Sequence, residues 1–324
     1  MTDLATLAQL AETDARLRAA VARRVIGQAA TVDAVLTSLF AGGHSLLVGA
    51  PGLAKTLLVS TLCEALGWRF KRIQFTPDLM PADVLGSEVL REDRASGARS
   101  LEYVPGPVFA NLVLADEINR TPPKTQAAML EAMQERSVTV GGHTRNLPRP
   151  FHVLATQNPI EQEGTYPLPE AQLDRFLLAV PVEYPGRDEE LAIAALDLTA
   201  RPNIDPVIGI EEFLQLTALV ARLPVPETAV AYAVDLCRAT RPQGGDSWVR
   251  ENVAWGAGPR AAQALVACAR ARAARAGRPA AELADVRAVA PLVLAHRLVP
   301  SFQAAGSGLD GRAIAGRILE QVKP

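Results

Sequence analysis

A short apolar run, Ser45–Val48, leads directly into the segment Gly49–Thr56, and a helix-forming run follows it. The segment reads Gly-Ala-Pro-Gly-Leu-Ala-Lys-Thr, which nearly matches a phosphate-binding loop between a strand and a helix. The departure is Ala54, which stands where that pattern has its second glycine. Because a non-glycine residue is strained at positive φ, and because position 54 borders the helix, we expect Ala54 to have a negative φ and to be tolerated. The alternative is an ordinary corner between a strand and a helix.

Alternating strand and helix patterns surround this corner. Four short apolar runs have the composition of strands that are buried on both faces, and helical sequence follows each one. The alternation predicts the α/β class, with a parallel sheet between helices on both faces. No strand pattern returns after about residue 185, so we expect a core over residues 1–185 and an all-helical domain over residues 186–324. The predicted strands are Ser45–Val48, Phe70–Phe75, Leu112–Ala115 and Val153–Thr156.

Helical patterns precede and follow the predicted sheet, and two insertions interrupt it. Residues 84–108 carry two apolar stretches around a polar turn. Residues 137–147 predict a tight hairpin, because Gly141-Gly142 is a favoured two-residue turn. The predicted helices are residues 4–24 and 29–41 before the sheet, and Asp188–Thr199, Ile210–Arg222, Glu227–Ala239, Arg260–Ala276 and Ala281–His296 after it.

Composition excludes several classes of protein. With 324 residues and a formal charge of −2, the chain has room for a large core but no basic excess for nucleic acid or anionic membrane. The three cysteines, Cys63, Cys237 and Cys268, form no Cys-x-x-Cys pair, so we interpret them as core residues. No apolar run approaches the length of a membrane span, and the N-terminus lacks a signal-peptide core. We expect a cytoplasmic protein.

Acidic residues follow the third predicted strand at the point where it ends. Leu112–Ala115 leads into Asp116 and Glu117, and a buried strand that delivers two adjacent carboxylates is costly without a purpose. If Gly49–Thr56 is a phosphate-binding loop, Lys55 would reach the β- and γ-phosphates and Thr56 would ligate Mg²⁺. Asp116 would hold the Mg²⁺ shell, and Glu117 would polarise the attacking water. The alternative is a pair of acids that opens a loop.

Three further polar residues are candidates for the same chemistry. Asn158 follows the fourth predicted strand and could orient water without adding charge, although an asparagine before proline also forms turns. Arg175 precedes an aromatic residue near a helix end, and Arg260 begins a helix of the second domain. Either arginine could be a plain surface charge. Both would matter if a nucleotide lay at a junction, because a guanidinium stabilises charge on a transferring phosphoryl group.

Together these phrases resemble the MoxR family of AAA+ ATPases over most of residues 25–185. The second domain resembles the family more loosely, chiefly through Gly256–Arg260, where Gly258 stands in place of a frequent serine. The matching phrases of the core are Gly49–Thr56, Arg72–Asp78, Ala115–Arg120, Pro122–Gln126, Ala155–Pro159, Glu161–Pro169 and Glu170–Phe176.

The resemblance implies a P-loop AAA+ αβα sandwich with a helical lid, and ATP and Mg²⁺ as cofactors. It implies a role for each matching residue, and the family itself carries alanine at position 54. The ATP-binding residues would be Gly49, Ala50, Pro51, Gly52, Leu53, Ala54, Lys55, Thr56 and Leu57, with Val25 and Ile26 near the adenine. Thr56 and Asp116 would hold the metal, and Glu117 would be the catalytic base. Asn158 would be sensor 1 and Arg260 would be sensor 2. Arg175 would be an arginine finger that acts on a neighbouring subunit.

The resemblance also implies partners and an activity. Residues 84–108 would be a helix-2 insert and residues 137–147 a pre-sensor-1 hairpin, which project toward a ring pore or a partner. The family's usual form is a hexameric ring, often working with a von Willebrand factor A domain protein, sometimes with metal insertion. We expect ATP hydrolysis that drives chaperone-like remodelling, maturation or activation of a client protein. A slow-turnover, ATP-gated assembly switch is the alternative, and the acidic pI of about 6.1 disfavours a DNA-acting motor.

Overall fold

The computed structural model describes residues 3–92, 99–160, 164–197, 202–244 and 246–323. Within these ranges the strands are β1 (Ser45–Val48), β2 (Phe70–Gln74), β3 (Gly86–Glu92), β4 (Arg99–Pro105), β5 (Leu112–Asp116), β6 (Ser137–Val140), β7 (His143–Asn146), β8 (His152–Gln157), β9 (Leu178–Pro181), β10 (Val253–Trp255) and β11 (Val299–Pro300). The helices are α1 (Asp3–Ala22), α2 (Ala29–Phe40), α3 (Lys55–Ala65), α4 (Pro81–Leu85), α5 (Pro123–Glu135), α6 (Glu170–Leu173), α7 (Arg187–Ala194), α8 (Ile210–Arg222), α9 (Glu227–Ala239), α10 (Ser247–Asn252), α11 (Pro259–Arg275), α12 (Leu283–Leu294), α13 (Phe302–Gly306) and α14 (Gly311–Gln321), with 3-10 turns at Ile118–Arg120 and Ala295–Arg297.

A parallel sheet of five strands forms the centre, in the order β2-β5-β8-β1-β9. The four predicted strands are present, and the α/β class is confirmed. The sequence did not reveal β9, whose four residues begin two positions after Phe176 and end in proline. Proline is tolerated there because β9 is an edge strand. Its final proline is a residue that usually argues against a strand.

Both faces of the sheet are covered, as its apolar strands predicted. Along β5, Leu112 and Leu114 join one hydrophobic cluster with α1, α2, α3 and the C-terminal helices. Val113 and Ala115 join a second cluster with α5 and β6 on the opposite face. Successive side chains of a strand point to opposite faces, so β5 is apolar from Leu112 to Ala115.

Two antiparallel hairpins extend from the core. In the first, β3 pairs with β4 from Gly86 opposite Pro105 to Glu92 opposite Arg99. The polar turn predicted at residues 93–98 lies outside the described residues. The second hairpin pairs β6 with β7 through Gly141 and Gly142, whose φ values of 60° and 76° fit a type I′ turn. The glycine pair therefore predicted this hairpin correctly.

The C-terminal part is mostly helical, but the prediction of an all-helical domain was wrong. β10 and β11 form a short antiparallel pair in which Val253 lies opposite Pro300. Strands of two or three residues carry no period, and their partners are distant in sequence, so local patterns cannot reveal them. α8 and α9 have the predicted bounds, whereas α7 ends at Ala194 rather than continuing to residue 199. The sequence patterns did not reveal α10, α13 or α14.

Buried ion pairs join the C-terminal helices to the first two helices. Arg275 of α11 contacts Asp14 of α1 at 2.6 Å and Asp33 of α2 at 3.0 Å. Its side chain is only 3% exposed, and it also donates to the Thr37 hydroxyl. These contacts fix the position of α11 relative to the sheet. Among the described helices, none is long and apolar enough to cross a bilayer.

Candidate functional site

The loop between β1 and α3 has the geometry of a phosphate-binding loop, with one correction. Ala54 has φ 55°, in the left-handed region, so the prediction of a negative φ was wrong. Ala54 is the N-cap of α3, and its carbonyl already accepts a hydrogen bond from Leu58 N at 2.8 Å. The N-cap lies outside the helical backbone, so bordering a helix does not impose helical φ. The left-handed conformation costs a non-glycine residue about 1–2 kcal/mol.

Lys55 begins α3 and folds back over its own loop. Its ammonium group donates hydrogen bonds of 2.7 Å to the carbonyl oxygens of Gly49 and Ala50. Partial burial lowers the pKa of Lys55, and the nearby carboxylates of Asp116 and Glu117 oppose that shift. The ammonium group thus lies between the loop and the acidic strand end, where an anionic ligand would be attracted to it.

Both oxygens of Asp116 have partners in neighbouring strands. Arg72 of β2 donates to Oδ2 at 2.6 and 2.9 Å, and the Thr156 hydroxyl of β8 donates to Oδ1 at 2.6 Å. The carboxylate lies at this point because β5 is flanked by β2 and β8 and ends at residue 116. These contacts fix the position of the Asp116 carboxylate inside a largely buried site.

Glu117 follows in a left-handed conformation, with φ 56° and ψ 50°. Its amide donates to the Thr156 hydroxyl at 2.8 Å, and its carboxylate accepts from the Gln74 amide at 2.9 Å. Arg120 lies 3.2 Å from the same carboxylate. Ala54 and Glu117 are thus two strained non-glycine residues in one site, and such residues cluster at functional sites.

Sequence reasoning gave no role to Arg72, Gln74 or Thr156. Arg72 and Gln74 are separated by two positions, so they lie on one face of β2 with apolar Ile73 between them on the other. This alternation of polar and apolar residues could have marked Arg72 and Gln74 as candidate site residues in the sequence. The contact itself depends on β2 pairing with β5, which the sequence does not encode locally.

These residues line a cleft of about 420 Å³ at the carboxyl ends of the strands. Asn158 also lines it: its Oδ1 accepts from Ile160 N at 3.2 Å, while its buried Nδ2 has no hydrogen-bond partner among the described residues. A buried amide donor without a partner is rare and calls for an explanation, such as a bound ligand. The cleft is lined by Pro51, Gly52, Leu53, Ala54, Lys55, Thr56, Leu57, Arg72, Asp116, Glu117, Thr156 and Asn158.

An apolar recess of about 380 Å³ adjoins this cleft and shares Pro51–Ala54 and Leu57 with it. Val25 and Ile26 line the recess together with Tyr184 and part of α7. The joined cavities therefore have a charged end and an apolar end, which we call together the nucleotide cleft. This shape suits a ligand with a planar base and a chain of phosphates.

The donor groups in the cleft suit Mg²⁺. The Thr56 hydroxyl and the Asp116 carboxylate are hard oxygen ligands, and both line the charged end. Within the described residues, no group of three or more His, Cys, Asp or Glu side chains forms a metal site. Mg²⁺ is commonly held by one or two protein oxygens together with phosphate and water. Arg72 would have to release Asp116 for such an ion to bind.

The structure does not bring Arg175 and Arg260 into the cleft of their own chain. Both line a separate cavity of about 320 Å³ that also contains Gly43 and Leu177. Gly43 precedes β1 and Leu177 precedes β9, so this cavity lies at the amino ends of the strands. The length of β1, about 13 Å, separates it from the loop after β1. We call the surface around Arg175 and Arg260 the arginine face.

The two arginines differ in their surroundings. Arg260 lies 3.7 Å from Asp174, which is held in turn by a 2.7 Å contact with Arg297. The half-buried Arg175 side chain has no hydrogen bond or ion pair with any residue that the structure describes. Its charge is therefore available to a group outside the described chain.

Comparisons with known proteins agree with this geometry. Residues 44–178 match the model of the ATPase family associated with various cellular activities (AAA), and residues 245–316 match an AAA lid domain. The chain is 44% identical to Chaperone MoxR1 of Mycobacterium tuberculosis, over 93% of this chain and 80% of that protein. It is 33% identical to Protein MoxR of Paracoccus denitrificans, over 86% and 87%. A crystal structure of a candidate ATPase from Cytophaga hutchinsonii superposes with a TM-score of 0.89 at 36% identity, covering 98% of this chain and 96% of that one.

With its parallel α/β core, its predominantly helical lid and this level of identity, the chain belongs to the MoxR family of AAA+ ATPases.

Proposed function

We propose that this protein hydrolyses ATP in a homo-oligomer, in which the arginine face of one subunit completes the nucleotide cleft of the next. The observation that carries this proposal is the separation of the charged groups. The loop, the two acids and Asn158 lie at the carboxyl ends of the strands, whereas Arg175 and Arg260 lie at their amino ends. A heterologous, head-to-tail contact joins such opposite surfaces and generates a ring when the rotation between subunits closes. A hexamer is the form we propose.

In the cleft, the loop N–H groups and Lys55 would bind the phosphates, and Val25 and Ile26 would lie beside the adenine. Thr56 and Asp116 would hold Mg²⁺, which neutralises developing charge on the phosphates when it is bound. Glu117 would accept the proton of the attacking water.

Two further groups would act on the reacting atoms. The free Nδ2 of Asn158 would donate a hydrogen bond to the water or to the γ-phosphate. Arg175 of the neighbouring subunit would stabilise charge on the transferring group, with Arg260 beside it. In this arrangement both arginines act in trans.

The contacts of β2 with the acids support a resting state of low activity. Arg72 neutralises Asp116, and Gln74 holds the Glu117 carboxylate. Binding of Mg²⁺ and ATP would have to displace Arg72, and catalysis would require Glu117 to turn from Gln74 toward water. A strongly held resting state would favour the alternative function, an ATP-gated assembly switch with slow turnover.

We propose chaperone-like remodelling of a client protein as the outcome of hydrolysis. The similarity to a protein named Chaperone MoxR1 supports this, and so does the exposed apolar surface of the β3–β4 hairpin, where Leu90 and Leu101 are 63% and 67% exposed. The insert of residues 84–108 would then meet a client or a von Willebrand factor A domain partner. The division into a core of residues 1–185 and a lid of residues 186–324 belongs to the same proposal.

The test is a mixing experiment with two inactive variants. Lys55→Ala lacks a functional cleft but retains the arginine face, whereas Arg175→Ala retains the cleft but lacks the finger. If the site is shared, a 1:1 mixture restores about a quarter of the wild-type ATPase activity, because about one interface in four combines both intact halves. A mixture as inactive as its components would contradict action in trans.

Glu117→Gln separates the enzyme from the switch. As a hydrolase, the wild-type oligomer should turn over at least about a hundredfold faster than this variant, while both bind ATP. Equal and slow turnover would favour the assembly switch. Salt-sensitive binding to DNA at physiological ionic strength would instead revive the DNA-acting motor.

A further inference from the structure

An apolar groove with a basic rim crosses the surface of the C-terminal helices. It lies between α9 and α11, has a volume of about 570 Å³, and contains Val230, Val234 and Val266. Val230 and Val234 are 38% and 40% exposed, although both are apolar side chains on a helix. An apolar groove of this size on a helical surface is typical of a site that receives an amphipathic helix.

Three arginines surround the groove without neutralising partners. Arg238, Arg241 and Arg270 all line it. Two of them bond to backbone carbonyls, Arg241 to Ala257 O and Arg270 to Leu223 O, each at 3.0 Å. None of the three forms an ion pair with a carboxylate in the described part of the chain. The groove therefore fits a helix that presents apolar side chains next to acidic ones.

The chain carries a matching helix in α7. Its first turn contains Asp188, Glu189 and Glu190, and none of its residues is buried. One face of α7, comprising Glu190, Ile193 and Ala194, lines the apolar recess of the nucleotide cleft.

The opposite face of α7 carries Asp188 and Leu191, with Ala195 at its C-cap, because residues three and four positions apart share a side of a helix. Leu191 is 54% exposed. This outer face is short, with one leucine and alanines beside an acidic residue, and its acidic end is complementary to the arginines of the groove.

The positions of the two surfaces are compatible with an intersubunit contact. The groove adjoins the arginine face, since Gln263 lines both cavities, and α11 carries Arg260 in its first turn. The groove residues of α11 lie within about 15 Å of Arg260 along the helix axis. Correspondingly, α7 lies at the rim of the nucleotide cleft. Joining the arginine face to the next cleft therefore brings α7 of one subunit toward the α9–α11 groove of the other.

We propose that the outer face of α7, centred on Leu191 and Asp188, docks in the α9–α11 groove of a second copy of this chain. Leu191 packs among the valines, and Asp188 faces the Arg238 side of the rim. Because the other face of α7 lines the apolar recess, this contact couples the fit of the base to the neighbouring lid. The inference rests on the proposed oligomer but adds a contact that hydrolysis in trans does not itself require.

Cysteine cross-linking tests the contact directly. A Leu191→Cys chain is mixed with differently tagged chains carrying Val230→Cys, Val234→Cys or Val266→Cys, and oxidised with copper phenanthroline in the presence of ATP. The native Cys63, Cys237 and Cys268 are buried, which limits background. We expect a disulfide between the two tagged chains with at least one groove position, because disulfides form only when Cα atoms approach within about 7 Å. The matched control is Leu214→Cys, which is 38% exposed on α8 and should not cross-link to Leu191→Cys.

Charge exchange provides a second readout, through sedimentation. Leu191→Asp should weaken self-association at least about fivefold, as expected for an apolar anchor. Asp188→Arg and Arg238→Glu should each weaken it about two- to fivefold, and the double variant should recover most of that loss, because the reversed pair is again complementary. Losses that simply add in the double variant would contradict the pairing.

The outcomes distinguish this contact from the proposed function. An oligomer that shows the shared-site recovery of ATPase activity, but no cross-link at any groove position and normal assembly of Leu191→Asp, overturns the docking of α7 and leaves the trans site intact. A chain that stays monomeric with ATP overturns both. Cross-linking to the groove without ATPase recovery supports the docking and contradicts the trans arginine.

Discussion

The nucleotide cleft and the arginine face lie at opposite ends of the same strands, and they differ in how their charges are satisfied. In the cleft, Lys55 bonds to its own loop, Asp116 pairs with Arg72, and Glu117 is held by Gln74. On the arginine face, the guanidinium of Arg175 has no partner among the described residues. A site whose charged groups all have partners can rest without its ligand, whereas an unpaired, half-buried cation indicates a partner supplied from outside the chain.

The largest expected effect comes from removing the unpaired charge. Arg175→Ala should reduce ATP turnover by about 10³-fold or more, the range found for arginine fingers, because charge on the transferring phosphoryl group loses its stabilisation. ATP binding by each subunit should persist, since Arg175 does not line the cleft of its own chain. The measurement is steady-state turnover beside equilibrium nucleotide binding. Arg222→Ala, which removes a cation whose side chain is 61% exposed on α8, is the control and should retain wild-type turnover. If Arg175→Ala lost ATP binding as strongly as turnover, the arginine face and the nucleotide cleft of one chain would not act separately.

The second prediction concerns the ion pairs that hold α11, and with it Arg260, at the amino ends of the strands. Arg275→Met should destabilise the fold by up to about 3 kcal/mol, because Asp14 would lose its buried partner and keep only the half-exposed Arg18. Chemical unfolding monitored by circular dichroism measures the change. Arg222→Ala provides the control: it removes an exposed pair with Asp3 and should cost less than about 1 kcal/mol. Similar losses in both variants would show that the buried pair has no special role in joining the lid to the core.

Acid should disturb the amino ends of the strands through three buried histidines. Burial lowers the pKa of His44 to about 3, of His152 to about 4 and of His296 to about 3, so each is neutral in the folded protein. In the unfolded chain their pKa is about 6.5, so the unfolded state binds more protons below that pH. Their contribution to stability is complete above pH 6.5 and is lost as the pH falls toward 4, by up to about 1.4 kcal/mol per pH unit for each residue.

Unfolding free energies measured between pH 7 and pH 4.5 test this prediction. His44 is the most informative position, because its Nδ1 accepts from Val153 N and its Nε2 contacts Met133 O, so a second proton would meet an amide donor. His44→Gln should lower the stability at pH 7 but reduce its dependence on pH. The exposed His143→Gln is the control and should leave the pH dependence unchanged. An unchanged slope in His44→Gln would contradict the assignment.

A smaller effect is expected from freeing Asp116. Arg72→Gln removes the guanidinium that competes with a metal ion for this carboxylate, so Mg²⁺-dependent ATP binding should tighten about five- to tenfold. Titration of Mg²⁺ at fixed ATP measures it, and Arg69→Gln, which changes another arginine next to β2, should have no effect. Weaker Mg²⁺-dependent binding in Arg72→Gln would show that Arg72 binds phosphate instead of competing with the ion.

The cleft was predictable from sequence to a much greater extent than the arginine face. Strand ends and the phosphate-binding loop are local patterns, so Lys55, Asp116 and Asn158 could be placed at one edge of the sheet before the structure was known. The contact of Arg72 with Asp116 depends on strand order, which a local pattern does not carry. The position of Arg260 depends on how α11 packs on α1 and α2, and this tertiary contact separates it from its own cleft. The backbone of Ala54 was predicted wrongly because proximity to a helix was taken to imply helical φ.

Ala54 provides the smallest and last comparison, between a strained residue and the glycine that the loop pattern expects. Relief of a left-handed alanine gains about 1–2 kcal/mol, whereas glycine makes the unfolded chain more flexible by about 0.5–1 kcal/mol. Ala54→Gly should therefore stabilise the fold by up to about 1.5 kcal/mol, measured by chemical unfolding without nucleotide. Ala65→Gly at the end of α3, where glycine relieves no strain, should destabilise it instead. If Ala54→Gly proved as destabilising as Ala65→Gly, alanine would be unstrained at position 54. The left-handed backbone would then cost this loop no more stability than it costs a loop with glycine there.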